Sequence, residues 1–397
     1  MQKQGDFVNS DLIDGTSLPN GEVSARRALT TFLAKADTSH HRFDWRTLVE
    51  RMRPGENDPW QQEQKIRVER AIKELYDWTG RMGIPYRHQE ASALFGVCSS
   101  PNEAPWSDIM LLVKYIYWVY AFDSFTDDPQ YTNLTETTSQ QAQDRMSRYL
   151  AHMFHRVLQI VEPYHLRKLN FSISEDGLRS EEIPPECAAL RHGLDDIFDE
   201  LPEHWRNAPV LPKNNQYRNW LFAFEFARCA GAIRHEFAWD CVMHEGKKLR
   251  SLPKFPKYIR SAKFSVGVPL TAALICTLEQ DPQRVWKRGF PCSANGGRVV
   301  RLANDLNLFE KDQRSNHFNS IFIAGKASGA NRKGSAEMTQ EETLQARLVT
   351  RKRLDDAIND FGDTMYLLDD GPMSFVLRYS VAFALAVYGD GRDYTAK

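Results

Sequence analysis

Two acidic segments carry side chains whose types and spacing suit a divalent cation. In the first, Asp123 and Asp127 are four residues apart at the end of an apolar run, so their carboxylates share one face if the run is helical. In the second, Asn304 and Asp312 are eight residues apart and also share a helical face. Mg²⁺ binds through one or two carboxylates and leaves its other positions to water and phosphate. Two such faces across a helix bundle would hold metal ions between them.

Basic residues beside the second segment extend this chemistry to a polyphosphate. Arg301 precedes Asn304 by three residues, and Lys311 adjoins Asp312. Arginine and lysine neutralise phosphate oxygens. The set therefore predicts departure of a diphosphate, with positive charge left on a carbon skeleton. Each segment alone could be a helix terminus or a solvated charged face, and it is their occurrence together in one chain that favours the metal site.

The composition is that of an ordinary globular chain of 397 residues. With 51 Lys and Arg against 52 Asp and Glu, the net charge of −1 gives no general electrostatic reason to bind nucleic acid or anionic lipid. The six cysteines form no CxxC pair, so neither a zinc site nor a disulfide framework is predicted. The N-terminus lacks an apolar signal-peptide core, and the longest apolar run, Val266–Leu278, is too short to span a bilayer. We therefore expect a cytoplasmic protein.

Helical periodicity dominates the chain, and strand patterns are scarce. We expect a disordered leader at 1–21 and a single all-α domain at 22–397, a helical bundle with an N-terminal helical extension. Predicted helices span Val23–Ala36, Pro59–Thr79, Ser107–Phe122, Thr138–Val161, Pro184–Leu201, Asn215–His244, Phe255–Leu278, Asp281–Asp312, Thr339–Leu368 and Pro372–Tyr388. Polar stretches near 162–182 and 325–341 are expected to be loops or insertions.

The acidic segments resemble the two metal motifs of class I terpene synthases. The first motif of that family is DDxxD, and here it reads Asp-Ser-Phe-Thr-Asp, with Ser124 at the second acidic position. The second motif is NDxxSxxxE, and RLANDLNLFEKD resembles it, with Leu308 where Ser, Thr or Gly is usual. The resemblance implies three Mg²⁺ ions bound by Asp123, Asp127, Asn304 and Asp312. Ser124 and Leu308 each remove a usual ligand position.

Two further segments resemble the diphosphate-binding elements of the same family. The segment KYIRSAKFSVGVP is similar to the helix that carries the diphosphate sensor, which places Lys263 or Arg260 at the sensor and Gly267 at the effector position of a helix break. The tail GDGRDY resembles the family's Arg-Tyr pair, through Arg392 and Tyr394. The resemblance thus implies diphosphate contacts from Lys263, Arg260, Arg301, Lys311, Arg392 and Tyr394.

The implied reaction is ionisation of an allylic prenyl diphosphate, followed by cyclisation of a carbocation that must be kept from water. Such a cation needs an apolar cavity with aromatic walls. Expected lining residues are Ile116, Val119, Tyr120, Trp220 and Phe224, although core packing is an alternative for the last two. The RLxND segment looks closest to bacterial ent-kaurene synthase-like diterpene synthases. That likeness implies a C20 substrate, either geranylgeranyl or copalyl-type diphosphate.

Two other functions remain open from the sequence. One is a prenyl transferase, chain-elongating or head-to-head, although such enzymes usually carry two aspartate-rich motifs. The other is a catalytically degenerate prenyl-binding protein, which Ser124 and Leu308 favour. No DxDD motif is present, so a bicyclic substrate would come from a separate enzyme. The expected partner is a small-molecule prenyl diphosphate, with no nucleic acid and no membrane span, and a homodimer is compatible with the sequence.

Overall fold

The computed structural model describes residues 59–132, 138–168, 183–205, 212–244, 253–315, 317–327 and 338–389. Within these ranges all regular structure is helical, and the helices are numbered α1 to α15 in chain order. They are α1 (Pro59–Met82), α2 (Gln89–Cys98), α3 (Trp106–Asp127), α4 (Pro129–Thr132), α5 (Ser139–Met153), α6 (His155–Ile160), α7 (Pro163–Lys168), α8 (Pro185–Trp205), α9 (Pro212–His244), α10 (Phe255–Ser265), α11 (Val268–Leu278), α12 (Pro282–Arg314), α13 (Ser320–Ala327), α14 (Gln340–Met365) and α15 (Pro372–Gly389). The predicted leader and the helix predicted over Val23–Ala36 lie outside the described residues.

The periodicity of apolar residues predicted the long helices correctly but missed several short or buried helices. The single helix predicted over Thr138–Val161 is wrong, because the backbone leaves helical geometry at Phe154 and α5 is followed by the separate helix α6. Helix α2 went unpredicted because it is ten residues long and mostly buried, so it shows no alternation of polar and apolar faces. Helices α7 and α13 also went unpredicted, and they reach into the two polar stretches expected to be loops.

Side-chain caps fix where several helices begin. Thr138 and Thr339 each form a capping box, with Gln141 and Glu342 three residues later, at the starts of α5 and α14. Asp281 accepts a hydrogen bond from the backbone N–H of Arg284 at the start of α12. Each cap satisfies an amide that lacks an intrahelical partner and stabilises its helix by about 1 kcal/mol. Of the three capped helices, α12 carries the second acidic segment, and α5 and α14 pack against α9 and α12 respectively.

Two long helices carry the acidic segments through the core. Helix α3 is apolar on all sides, with Tyr115, Trp118 and Phe125 almost fully buried, and it packs against α2, α8 and α11. Helix α12 packs against α10, α11, α14 and α15. All six cysteines are buried, and none forms a disulfide. Because both α3 and α12 are held on several sides by other helices, packing fixes the backbone positions of the acidic residues that they carry.

The apolar stretch predicted as one helix over Phe255–Leu278 is broken, at the place that the family resemblance indicated. Gly267 adopts φ +74° and ψ −12° between α10 and α11, a left-handed conformation that favours glycine. The two helices meet at an angle of 46°. Within the described residues no single helix is long and apolar enough to cross a membrane, whereas this bent pair taken together passes the same test of length and composition.

Candidate active site

A cavity of about 220 Å³ lies between α3, α9, the α10–α11 break, α12 and α15. Its polar lining consists of Asp123, Asp127, Glu236, Asp240, Thr271, Arg301, Asn304, Asp312, His317, Ser380 and Tyr388. Its apolar lining includes Phe95, Ile116, Val119, Tyr120, Val266, Val268, Val300, Leu308, Phe318, Phe383 and Val387. The structure therefore brings together both acidic segments and three of the five predicted apolar residues.

The four predicted metal ligands all reach this cavity. Asp123 and Asp127 are exposed to it from the last turns of α3, one turn apart, as the spacing predicted. Asn304 and Asp312 line it from α12. The amide nitrogen of Asn304 donates to the hydroxyl of Tyr388 at 3.0 Å. This bond leaves the amide oxygen of Asn304 as the atom that could bind a cation. One carboxylate oxygen of Asp312 accepts from the amide of Asn319 at 2.8 Å.

The chemistry of this donor set fits Mg²⁺. Carboxylate and amide oxygens are its preferred protein ligands, and it takes only one or two from a protein when phosphate and water supply the rest. Within the described ranges no three His, Cys, Asp or Glu side chains are gathered closely enough to hold an ion by themselves. Burial raises the pKa of Asp312 to about 7, and this effect outweighs the lowering by the Asn319 hydrogen bond and by the charges of His317 and Arg301. A cation bound there would favour the charged form.

Arg301 is the only arginine or lysine of the described residues that lines the cavity. Its Nη1 donates to Glu236 at 2.8 Å, and its Nε lies 2.9 Å from Asp305 and 2.5 Å from the hydroxyl oxygen of Tyr258. The Tyr258 hydroxyl donates in turn to Asp305 at 2.8 Å. Burial disfavours the charge of Arg301, but Asp305 and then Glu236 more than offset this and hold its pKa well above the usual range. The cavity therefore contains a permanent, oriented cation.

A second polar edge of the cavity is formed by Asp240 and His317. One oxygen of Asp240 accepts from the backbone N–H of Phe318 at 2.6 Å, and the other lies 3.7 Å from Nδ1 of His317. Burial by itself would lower the pKa of His317, but the carboxylates of Asp240, Asp127 and Asp312 raise it above its ordinary value. This edge therefore adds a readily protonated imidazole to the acidic end of the cavity.

The two residues that depart from the family motifs have different surroundings. Ser124 is buried, and its hydroxyl lies 2.8 Å from Nε2 of the buried His88. It does not line the cavity; its bond ties the end of α3 to the start of α2. Leu308 does line the cavity, on the helical face that carries Asn304 and Asp312. An apolar side chain therefore stands between two oxygen ligands.

Gly267 lines the cavity at the helix break, whereas Lys263, Arg260, Lys311, Trp220 and Phe224 do not. Lys263 lies with its ammonium 5.0 Å from the ring centre of Phe264, and burial together with the nearby Arg228, Arg298 and Arg260 lowers its pKa. Arg260 is exposed on α10, and Lys311 lies on α12 outside the lining. Trp220 and Phe224 stack on each other at 4.8 Å, and neither lines the cavity. Arg392 and Tyr394 lie outside the described residues.

Several lining residues were missed from the sequence. Glu236 and Asp240 are four residues apart on α9, the same spacing that identified Asp123 and Asp127, so the spacing rule could have found them. Phe383, Val387 and Tyr388 come from α15, which had been predicted only as a helix. Nothing in the periodicity of α15 distinguishes a residue that faces a cavity from one that faces the core.

Comparison with known proteins places the fold. No family model and no curated protein matches the sequence. The chain is similar to the solved structure of linalool/nerolidol synthase from Streptomyces clavuligerus, at 15% identity and a TM-score of 0.51, over 82% of this chain and 96% of that one. It is also similar to 2-methylisoborneol synthase from Streptomyces coelicolor A3(2), at 15% identity and a TM-score of 0.52, over 85% of this chain and 91% of that one. The chain therefore has the all-α fold of class I terpene synthases.

Proposed function

We propose that this chain is a class I terpene cyclase, which ionises an allylic prenyl diphosphate with Mg²⁺ and cyclises the resulting carbocation. The observation that carries the proposal is the division of one cavity into two ends. Asp123, Asp127, Asn304 and Asp312 supply oxygen ligands beside Arg301, and apolar side chains of α3, α11 and α15 line the rest. Such a division suits a substrate with a highly charged head and a hydrocarbon tail.

The residues at the charged end would bind and orient the diphosphate. Mg²⁺, when bound to the four oxygen ligands, would neutralise the negative charge that grows on the leaving group. Arg301 would add a fixed hydrogen-bond donor to the same oxygens, and its geometry is set before the substrate arrives. Three ions, and further contacts from Lys263, Arg260, Lys311, Arg392 and Tyr394, belong to the proposal through the family resemblance alone, since Lys263, Arg260 and Lys311 do not line the cavity.

The apolar end would hold the hydrocarbon and exclude water from the cation. Tyr120, Phe95 and Phe383 present aromatic rings to this cavity. An aromatic face stabilises a nearby cation by about 0.5–2 kcal/mol. We place the substrate among C20 diphosphates, geranylgeranyl or copalyl-type, on the likeness of the RLxND segment to diterpene synthases. A small-molecule lyase reaction of this kind needs no macromolecular partner.

The test is Mg²⁺-dependent turnover with C10, C15, C20, C25 and copalyl-type diphosphates, read as diphosphate release and by gas chromatography–mass spectrometry. We expect a cyclic product from a C20 substrate. Asp123→Ala and Asn304→Ala should each abolish release while circular dichroism stays unchanged. Asp128→Ala is the matched control, because Asp128 follows the motif directly but does not line the cavity. Full activity in the Asp123 and Asn304 variants would refute the proposal.

A degenerate prenyl-binding protein is the second candidate, and Leu308 is the observation that favours it. Leu308 occupies the face between Asn304 and Asp312, where the family carries a ligand. Binding of a prenyl diphosphate without release of diphosphate, at any Mg²⁺ concentration, would favour this candidate. A requirement for a second prenyl diphosphate would instead indicate a prenyl transferase.

A further inference from the structure

The carboxylate of Glu236 joins two parts of the cavity wall that are distant in sequence. Its Oε1 accepts a hydrogen bond from the hydroxyl of Ser265 at 2.5 Å, and its Oε2 accepts from Nη1 of Arg301 at 2.8 Å. Ser265 is the last residue of α10, two residues before Gly267 at the break. One side chain of α9 therefore connects the helix break to the cation on α12.

The same contacts fix the direction of the Arg301 guanidinium. Asp305, which is fully buried, holds Nε from one side, and Glu236 holds Nη1 from the other. Nη2 takes part in neither of these bonds and stays available to an anion in the cavity. Charge-assisted pairs of this length restrain both partners. Loss of Glu236 would release one half of the restraint on Arg301 and, in the same change, the bond from the Ser265 hydroxyl to α9.

We propose that Glu236 is a positioning residue for the reaction proposed above, on which this inference rests. It aims Arg301 at the diphosphate and holds the wall formed by Val266, Gly267 and Val268 against the hydrocarbon. Glu236 thereby fixes the position of the charged end of the cavity relative to its apolar end. Binding of the head and folding of the tail depend on the same carboxylate.

The arrangement predicts a specific pattern among three variants. Glu236→Ala should lower kcat by about 10- to 100-fold, with a smaller change in KM, because misplacement of a binding group by about 1 Å costs up to that much. Ser265→Ala frees only the break, so it should chiefly change the ratio of products. Glu236→Gln should restore the product ratio, since its amide oxygen can accept from Arg301 and its amide nitrogen can donate to Ser265.

Ser261→Ala is the matched control. Ser261 also lies on α10, and its hydroxyl also bonds to α9, at 3.0 Å from Nδ1 of His235, but neither residue lines the cavity. If bonds between α9 and α10 merely stabilise the bundle, Ser261→Ala and Ser265→Ala should have equal effects on thermal stability and on products. We expect the product ratio to change only in Ser265→Ala.

The experiment compares kcat, KM, product ratios and melting temperature for the wild type, these four variants and the Glu236→Ala/Ser265→Ala double variant. Because both substitutions break the same connection, the double variant should show the product ratio of Glu236→Ala alone. Wild-type turnover with unchanged product ratios and kcat in Glu236→Ala and Ser265→Ala would overturn this inference and leave the proposed function standing. Absence of diphosphate release from the wild type would instead overturn the proposed function.

Discussion

Gly297 lies where α12 crosses the helix break, and a methyl group there should be costly. A Cβ built at this position would lie 2.1 Å from the carbonyl oxygen of Lys263 in α10 and 3.3 Å from Cδ of Pro269 in α11. The first contact involves backbone, so no side chain can turn aside to relieve it. The separation between α10 and α12 must open by about 1 Å or more to reach an ordinary contact distance.

Gly297→Ala should therefore lower the free energy of unfolding by about 1–3 kcal/mol, the usual cost of overpacking a well-filled interior. It should also lower turnover, because Arg301 and Asn304 follow Gly297 by four and seven residues on the same face of α12. A shift of that face moves the cation and a metal ligand relative to the wall at Gly267. Urea unfolding gives the stability, and diphosphate release gives the turnover.

Gly80→Ala provides the control of opposite sign. Gly80 lies within α1, and a Cβ there would meet no atom within 4 Å. Alanine in an open helical position should stabilise the protein by about 0.5–1 kcal/mol. The reasoning fails if Gly297→Ala unfolds at the same urea concentration as the wild type and turns over normally, since the contact with Lys263 would then be easily relieved.

Three further predictions each concern a single side chain. Tyr388→Phe removes the hydroxyl that orients Asn304, so the Mg²⁺ concentration for half-maximal diphosphate release should rise by about 10-fold. An unchanged concentration would show that this bond does not orient the Asn304 amide for metal binding. Ser124→Asp restores the acidic residue of the family motif, but position 124 faces His88 rather than the cavity. The Mg²⁺ concentration for half-maximal release should therefore not fall, and a lower concentration would contradict this orientation. Burial raises the pKa of Glu225 from 4.5 to about 7, so the folded state retains a proton that the unfolded chain loses, and stability falls as the pH rises through that window. Glu225→Gln should therefore raise the free energy of unfolding by on the order of 2 kcal/mol near pH 8 and by much less near pH 4.5, and an equal gain at both pH values would count against the burial argument.

The shared helical faces of the four candidate metal ligands could be predicted from the sequence because they depend on local geometry. Residues four apart share a helical face in any helix, so Asp123 and Asp127 needed only α3 to form. Asn304 and Asp312 needed only α12. Each helix is long and capped or strongly apolar, and periodicity is most reliable for such helices. The family resemblance then predicted that the two pairs lie opposite each other across one cavity.

The residues predicted to bind diphosphate show which features the sequence does not determine. A motif places Lys263 on the chain but does not say which way its side chain runs. In the structure the ammonium of Lys263 lies by Phe264, while its backbone carbonyl faces Gly297. Arg301, matched by the same resemblance, lines the cavity. Packing between α10 and α12 decides which of these two side chains reaches the cavity, and the residue pattern of a single helix does not reveal that packing.

The neighbouring residues Asn304 and Asp305 show how burial divides similar side chains between different roles. Successive residues of a helix point about 100° apart. Asn304 consequently reaches the cavity, while Asp305 is fully buried and bonded to Arg301 and Tyr258. A buried carboxylate that is bonded to a cation and a hydroxyl has little to gain from a metal ion, whereas Asp123 lies exposed at the cavity, where we propose that it binds one. Tertiary contact rather than residue type therefore decides which acidic residues orient Arg301 and which are candidates for metal binding.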